Sequence, residues 1–127
     1  DTAVRLHCGK VGDPALLTQL DGTAHLVLCN PPYVPSGTEV APEVARHDPP
    51  AAVFAGADGL AVIPDVVRTG TRLLRAGGGI AIEHDDSHGE SVPALLAARR
   101  VLTAVTEHAD LAGRPRFATA LLRRLPG

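Results

Sequence analysis

Aromatic side chains are almost absent from this chain: Phe54, Phe117 and Tyr33 are the whole set of phenylalanine, tyrosine and tryptophan in 127 residues. A core must therefore be aliphatic, built from Leu, Val, Ile and Ala. A broad base-stacking surface for nucleic acid is disfavoured for the same reason. Lysine is nearly missing too, with Lys10 alone, and the net charge of -2 exerts no general pull toward nucleic acid or anionic membrane. No apolar run reaches the length of a membrane span and no signal-peptide pattern is found, so the expectation is a cytoplasmic protein. Cysteine is limited to Cys8 and Cys29, both at the ends of apolar runs. They are expected to be buried free thiols rather than a disulfide. The length fits one domain.

What is present alternates between strand and helix patterns. Ala3 to Cys8 has short strand character. Asp13 before Pro14 reads as an N-cap with proline at the first helical position, which predicts a short helix. His25 to Cys29 reads as a strand buried on both faces, the parallel-sheet type. Residues 30 to 59 are proline-rich and irregular, a long loop of the kind that carries function. Helical spacing follows over Ala61 to Arg75, weakened by Pro64 and Gly70, with Gly77-Gly78-Gly79 as its stop. Ile80 to Ile82 is a short strand ending at Glu83-His84. A second helix fits Ser91 to Arg100, and strands fit Val101 to Thr106 and Arg116 to Arg123. This order predicts an α/β fold with a largely parallel sheet.

The most informative stretch is LVLCNPPYVP, residues 26 to 35. An apolar strand stops on Asn30, loses two backbone donors at Pro31 and Pro32, and then presents Tyr33. In open α/β sheets, ligands bind beyond the carboxyl ends of strands. Carbonyls beside the prolines are not tied into local ladders and can accept from an amino group. The Asn30 side-chain oxygen can accept a second N–H. Tyr33 offers a flat wall to a planar group, and its ring face suits a cation. The set suits a planar amide or exocyclic amine presented to a methylsulfonium. A plain strand-ending turn would use the same residues.

NPPY after an apolar strand resembles amino-methylating, S-adenosylmethionine-dependent methyltransferases. Together with EVARHDP, AGADGL, LLRAGGGIAIEH and DLAGRPRFATA, it resembles the HemK/PrmC family, the glutamine methyltransferases of peptide-chain release factors. The resemblance runs from about Val4 to Leu122. It implies a Rossmann-like class I methyltransferase fold: α/β, mostly parallel, with a final antiparallel strand, and incomplete at the N-terminal side. Residues 1–127 would be the C-terminal portion of a single catalytic domain. By resemblance, Asn30, Pro31, Pro32 and Tyr33 are the substrate-binding motif, with Asn30 and Pro31 catalytic. Asn30 would also border the cofactor's methyl group. Gly9-Lys10-Val11 matches the place of an acidic residue and an adenine-side contact, so Lys10 and Val11 are the other cofactor candidates; Lys10 stands where the family usually has the acid. The family's early glycine-rich loop has no counterpart, since Gly77-Gly78-Gly79 follows a helix and precedes a strand.

The implied partner is a release factor with a glutamine-bearing (GGQ-type) loop, with neither nucleic acid nor membrane expected. The implied chemistry needs no metal. Asn30 and the Pro31 carbonyl would hold both amide hydrogens and aim the nitrogen at the methyl carbon. Rival readings are a DNA or RNA amino-methyltransferase with the same motif, and a catalytically incompetent fragment or interaction module. Other polar groups have plainer readings. His84-Asp85-Asp86-Ser87-His88 reads as a polar loop capping the next helix rather than a metal site, and Glu83 and His84 as pocket wall. His47-Asp48 reads as loop packing, and Gly113-Arg114-Pro115-Arg116 as a hairpin turn.

Overall fold

A computed structural model describes residues 3–31 and 61–124. Within them lie β1 (Ala24–Cys29), α1 (Ile63–Leu73), β2 (Leu74–Glu83), α2 (Ser91–Ala97), β3 (Leu102–Ala109) and β4 (Pro115–Leu122), with single 3-10 turns at Thr18–Leu20 and Asp86–His88. The sheet order is β1-β2-β4-β3. β1 pairs with β2 in parallel, β2 with β4 antiparallel, and β3 with β4 antiparallel. Three strands thus run one way, and the last is inserted between β2 and β3 running the other. The expected fold class holds.

The helices form where the sequence allows. Pro64 lies in the first turn of α1, where its missing N–H has no intrahelical partner to lose. Asp65 and Arg72 sit at the ends that suit their charges. α1 and α2 cover one face of the sheet. Ile63, Val67, Ile80, Ile82, Val92 and Leu96 form the centre of that core, each at most 2% exposed. Ile80 and Ile82 point toward it, and the intervening residues of β2 face the other way. Gly70 brings α1 close to the sheet, because a Cβ there would stand 2.6 Å from Ile80 Cδ1.

Several expectations change. Residues 3 to 8 are not a strand: they have no regular structure and lie exposed, with Leu6 at 97%. A strand needs a neighbour to bond, and among the described residues this segment has none. After Asp13, whose side chain caps the Ala15 N–H at 2.9 Å, the chain makes turns rather than an α-helix. Leu17 takes the left-handed conformation, φ 54°, which ends any right-handed turn there. β1 is not buried on both faces: Leu26 and Leu28 are 58% and 73% exposed, because no helix among the described residues lies over them. Cys8 is exposed and Cys29 only half-buried, both unpaired. α2 ends at Ala97, short of Arg100.

The glycine run does not terminate a helix. α1 stops at Leu73, and Gly77-Gly78-Gly79 lie inside β2. There Gly78 serves close packing against β1, where the register shifts between Ala24 and Leu26. A Cβ at Gly78 would meet backbone oxygens of Ala24 and Arg75 at 2.9 and 3.0 Å. At Gly79 the nearest atom would be an ordinary 3.5 Å away. Gly78→Ala should therefore lower stability by about 1–3 kcal/mol, since backbone cannot rotate aside. Gly79→Ala should stay within about 0.5–1 kcal/mol. Urea unfolding of the two variants checks the contrast, and equal losses would contradict the bulge geometry.

Candidate active site

The topology gathers one set of residues at a single end of the sheet. β1 and β2 are parallel, so Asn30, just past β1, and Glu83, closing β2, emerge together. β4 runs the opposite way, so its start, with Arg116 and Phe117, arrives at the same end. The Cα register pairs Glu83 with Phe117 and Phe117 with His108. These positions surround an open cavity of about 510 Å³ lined by Leu28, Cys29, Asn30, Ala81, Glu83, Arg116 and Phe117. Its wall is mostly apolar, with one amide, one carboxylate and one guanidinium at the rim. An apolar cleft with few polar groups at strand ends is the usual form of a small-group binding site.

Asn30 is exposed and Pro31 buried. Pro32, Tyr33 and His47-Asp48 lie outside the described residues. Lys10 and Val11 do not line the cavity with Asn30. They border a separate one of about 620 Å³ with Gly12, Asp13, Val62 and Asp65. That cavity lies at the N-terminal end of α1, which begins at the carboxyl end of the sheet. The segment is anchored there by Thr69 Oγ1 donating to the Val11 carbonyl at 2.5 Å.

Sequence reasoning read Arg116 only as part of a hairpin turn and gave no role to Phe117. Phe117 stacks on His108, ring centroids 4.5 Å apart and planes 8° from parallel. His108 Nε2 in turn bonds Thr119 Oγ1 at 2.8 Å. The available signal was compositional: one of the chain's few aromatics begins an apolar strand. Arg116 is held by Asp110, whose carboxylate accepts from its guanidinium at 3.3 Å. Asp110 also accepts from the Ala112 and Arg114 N–H groups at 2.9 and 3.0 Å, closing the expected hairpin turn.

Behind the rim lies a polar knot. His84 is fully buried. Its ring bonds the Asp85 carbonyl at 2.7 Å and Glu107 at 2.6 Å. Asp85 caps the Asp86–His88 turn through Ser87. The Ser87 hydroxyl and N–H hold its carboxyl below the usual range. Among the described residues no cluster of three His, Cys, Asp or Glu side chains is arranged around a metal. Burial raises the Cys29 thiol above its ordinary value, which keeps it a neutral part of the cavity wall. No helix among the described residues is long and apolar enough to cross a membrane.

No protein-family model matches the chain. Curated relatives do, at 46–48% identity over about 94% of this chain, and they are named release factor glutamine methyltransferase. One, from Mycobacterium tuberculosis (strain CDC 1551 / Oshkosh), is 46% identical over 120 residues, 94% of this chain and 40% of the relative. This chain thus spans about 40% of the length of that relative. Another relative, from Streptomyces pristinaespiralis, is named 4-amino-L-phenylalanine/4-methylamino-L-phenylalanine methyltransferase. It is 49% identical over 98 residues, 76% of this chain and 33% of its own length. Among solved structures, the antibiotic-resistance methyltransferase Kmr superposes with a TM-score of 0.51 at 15% identity, over 92% of this chain and 57% of that one. That likeness shows the class I methyltransferase fold. The HemK/PrmC resemblance read from LVLCNPPYVP and the later blocks therefore holds across nearly the whole chain.

The Asp110 turn carries a pH signature. Bonds from the Arg114 N–H first, and then from the Arg116 side chain and the Ala112 N–H, lower its carboxyl below the ordinary 3.8. A lowered folded-state value gives stability that is complete above 3.8 and lost as pH falls through the lowered value. Asp110→Asn should melt below wild type at neutral pH, and the gap should narrow by about pH 3. Thermal melts at both pH values check this. An unchanged gap would contradict the role given to the carboxylate.

Proposed function

We propose that this chain, similar over nearly its whole length to the C-terminal part of release factor glutamine methyltransferases, is the C-terminal portion of a single catalytic domain. That domain methylates the side-chain amide nitrogen of a glutamine in a peptide-chain release factor, with S-adenosylmethionine as donor. The observation that carries the reading is Asn30 at the carboxyl end of β1, on the rim of an apolar cavity. The residues present fit the methyl side of the donor: an apolar wall for the transferred group, the Glu83 carboxylate for a nearby cation, and an amide oxygen for the acceptor. Lys10 and Val11, on the cavity at the N-terminal end of α1, are proposed for the adenine side. When bound, the donor supplies an electrophilic methyl group.

The chain's own work is positioning. A glutamine amide is a weak nucleophile because its lone pair is delocalised into the carbonyl. Asn30 Oδ1 and the Pro31 carbonyl each accept one amide hydrogen, which turns the nitrogen lone pair toward the methyl. Tyr33 supplies a flat wall beside the amide. Holding reactants in attack geometry is worth on the order of 7–11 kcal/mol in favourable cases. Fixed acceptors aimed at the charge developing on nitrogen add to that. After transfer the nitrogen would be strongly acidic, and its proton would pass to solvent.

A nucleic-acid reading lacks support in composition and charge. An aromatic-amine acceptor is the second reading, favoured by the S. pristinaespiralis relative's name. The complete protein carrying this chain should be incubated with donor and a release factor, and the glutamine-bearing peptide weighed by mass spectrometry. A 14-dalton gain on glutamine is the result expected (one methyl for one hydrogen, about 14 Da). Methylation of 4-amino-L-phenylalanine with none on the release factor would replace the first reading by the second.

In that assay Asn30→Ala should lower turnover about a hundredfold or more, while donor affinity stays within about tenfold. Turnover and donor binding are measured separately, and wild-type turnover would remove Asn30 from the mechanism. Tyr33→Phe should be mild and Tyr33→Ala severe, because the ring face rather than the hydroxyl is assigned the role. Steady-state kinetics on both variants decides; equal damage would transfer the role to the hydroxyl.

A further inference from the structure

His84 is fully buried, yet both of its ring nitrogens face oxygen. Nδ1 lies 2.7 Å from the Asp85 carbonyl, and Nε2 lies 2.6 Å from Glu107 Oε1. A carbonyl oxygen offers only lone pairs, so Nδ1 carries the N–H. A neutral ring would then aim the Nε2 lone pair at Glu107. Against a carboxylate, lone pair would face lone pair at hydrogen-bond distance, away from water. That contact closes only with a proton between Nε2 and Oε1. The pair therefore holds one proton more than a neutral histidine and a carboxylate together. Glu107 already acts as an acceptor through Oε2, from the Arg116 N–H, so this proton is assigned to the ring.

Glu107 is committed on its other side as well. Its Oε2 accepts from the Arg116 backbone N–H at 3.2 Å. The His84 backbone N–H donates to the Arg116 carbonyl at 3.0 Å. The end of β2, the middle of β3 and the start of β4 thus meet in one knot. Its immediate neighbours are cavity lining: Glu83 precedes His84, Arg116 is itself a member, and Phe117 follows it.

We propose that Glu107 is a positioning residue for this pocket. Through the proton shared with His84 and the amide it accepts from Arg116, it fixes the Glu83, Arg116 and Phe117 side of the cavity that Asn30 borders. Its effect on methyl transfer rests on the function proposed above.

The test uses the complete protein with Glu107→Ala and Glu107→Gln. Glutamine can keep the shape without the extra proton: its oxygen accepts from Arg116 N–H, and its NH2 donates to a neutral His84 Nε2. In wild type, ¹⁵N spectra at neutral pH should show His84 with both ring N–H groups. In Glu107→Gln they should show one. Amide exchange at Arg116 should be slow in wild type and in the Gln variant, and at least about tenfold faster in the Ala variant. Glu107→Ala should lower kcat/KM for the release factor about tenfold, with donor affinity within about threefold, and Glu107→Gln should restore most of it. A single ring N–H in wild type, or wild-type kcat/KM in Glu107→Ala, overturns the proposal. If wild type methylates no release factor while the ring and amide results hold, the knot is supported and the proposed function fails.

Discussion

The parallel pairing of β1 with β2 is the constraint on which the rest depends. It aligns Leu28 with Ala81 and Cys29 with Ile82, so the two strands end side by side. Only then do Asn30 and Glu83 share one cavity. The antiparallel entry of β4 beside β2 completes it, because a strand running the other way begins where its neighbours end. The tight contact at Gly78 belongs to the same constraint. Without a bare backbone at that point, β1 could not reach its register past Ala24.

Energetically the sheet has two unlike faces. On one, Ile80, Ile82, Ala118 and Ala120 are buried under the helices to 1% exposure or less. Fully burying an aliphatic side chain of the isoleucine or valine kind contributes about 1.5–3 kcal/mol, so this face holds the described core together. On the other, Leu26, Leu28, Phe117 and Leu121 stay between 37% and 73% exposed. The cavity draws its apolar wall from this second face. Most of the cavity lining and the core thus come from opposite sides of the same strands by period-two alternation, with Cys29 touching both.

The fold was legible where local pattern and tertiary outcome agree. The run ending at Cys29, the Ile80 to Ile82 stretch, both helices and the last two strands were found because apolar spacing tracks burial. Ala3 to Cys8 failed because alternation describes which side chains want cover, not whether a neighbour strand exists. The glycine triplet misled because its helix-stopping tendency is local, whereas its use here is a close approach across strands. At the site, Asn30 stood out because an amide followed by two prolines is chemically unusual. Arg116 and Phe117, although inside the DLAGRPRFATA block, did not, since only the insertion of β4 brings them to Asn30, and Glu107 on β3 had no mark at all. Glu107 lay just past the strand expected over Val101 to Thr106, so the sequence pattern did not single it out.

The strand order also dictates a sequence of events during folding. β3 and β4 are joined by a short turn, with Ala109 paired to Pro115, so their ladder closes a small loop. β2 and β4 must find each other across a longer stretch, Gly79 with Leu121. β1 and β2 are farther apart still, Leu28 with Ala81. Closure entropy rises with separation, and non-local pairing comes late. This order of closure costs favours the hairpin first, then β2, then β1. Because the cavity takes residues from β1, β2 and β4, it is complete only at the final step, together with the native state itself.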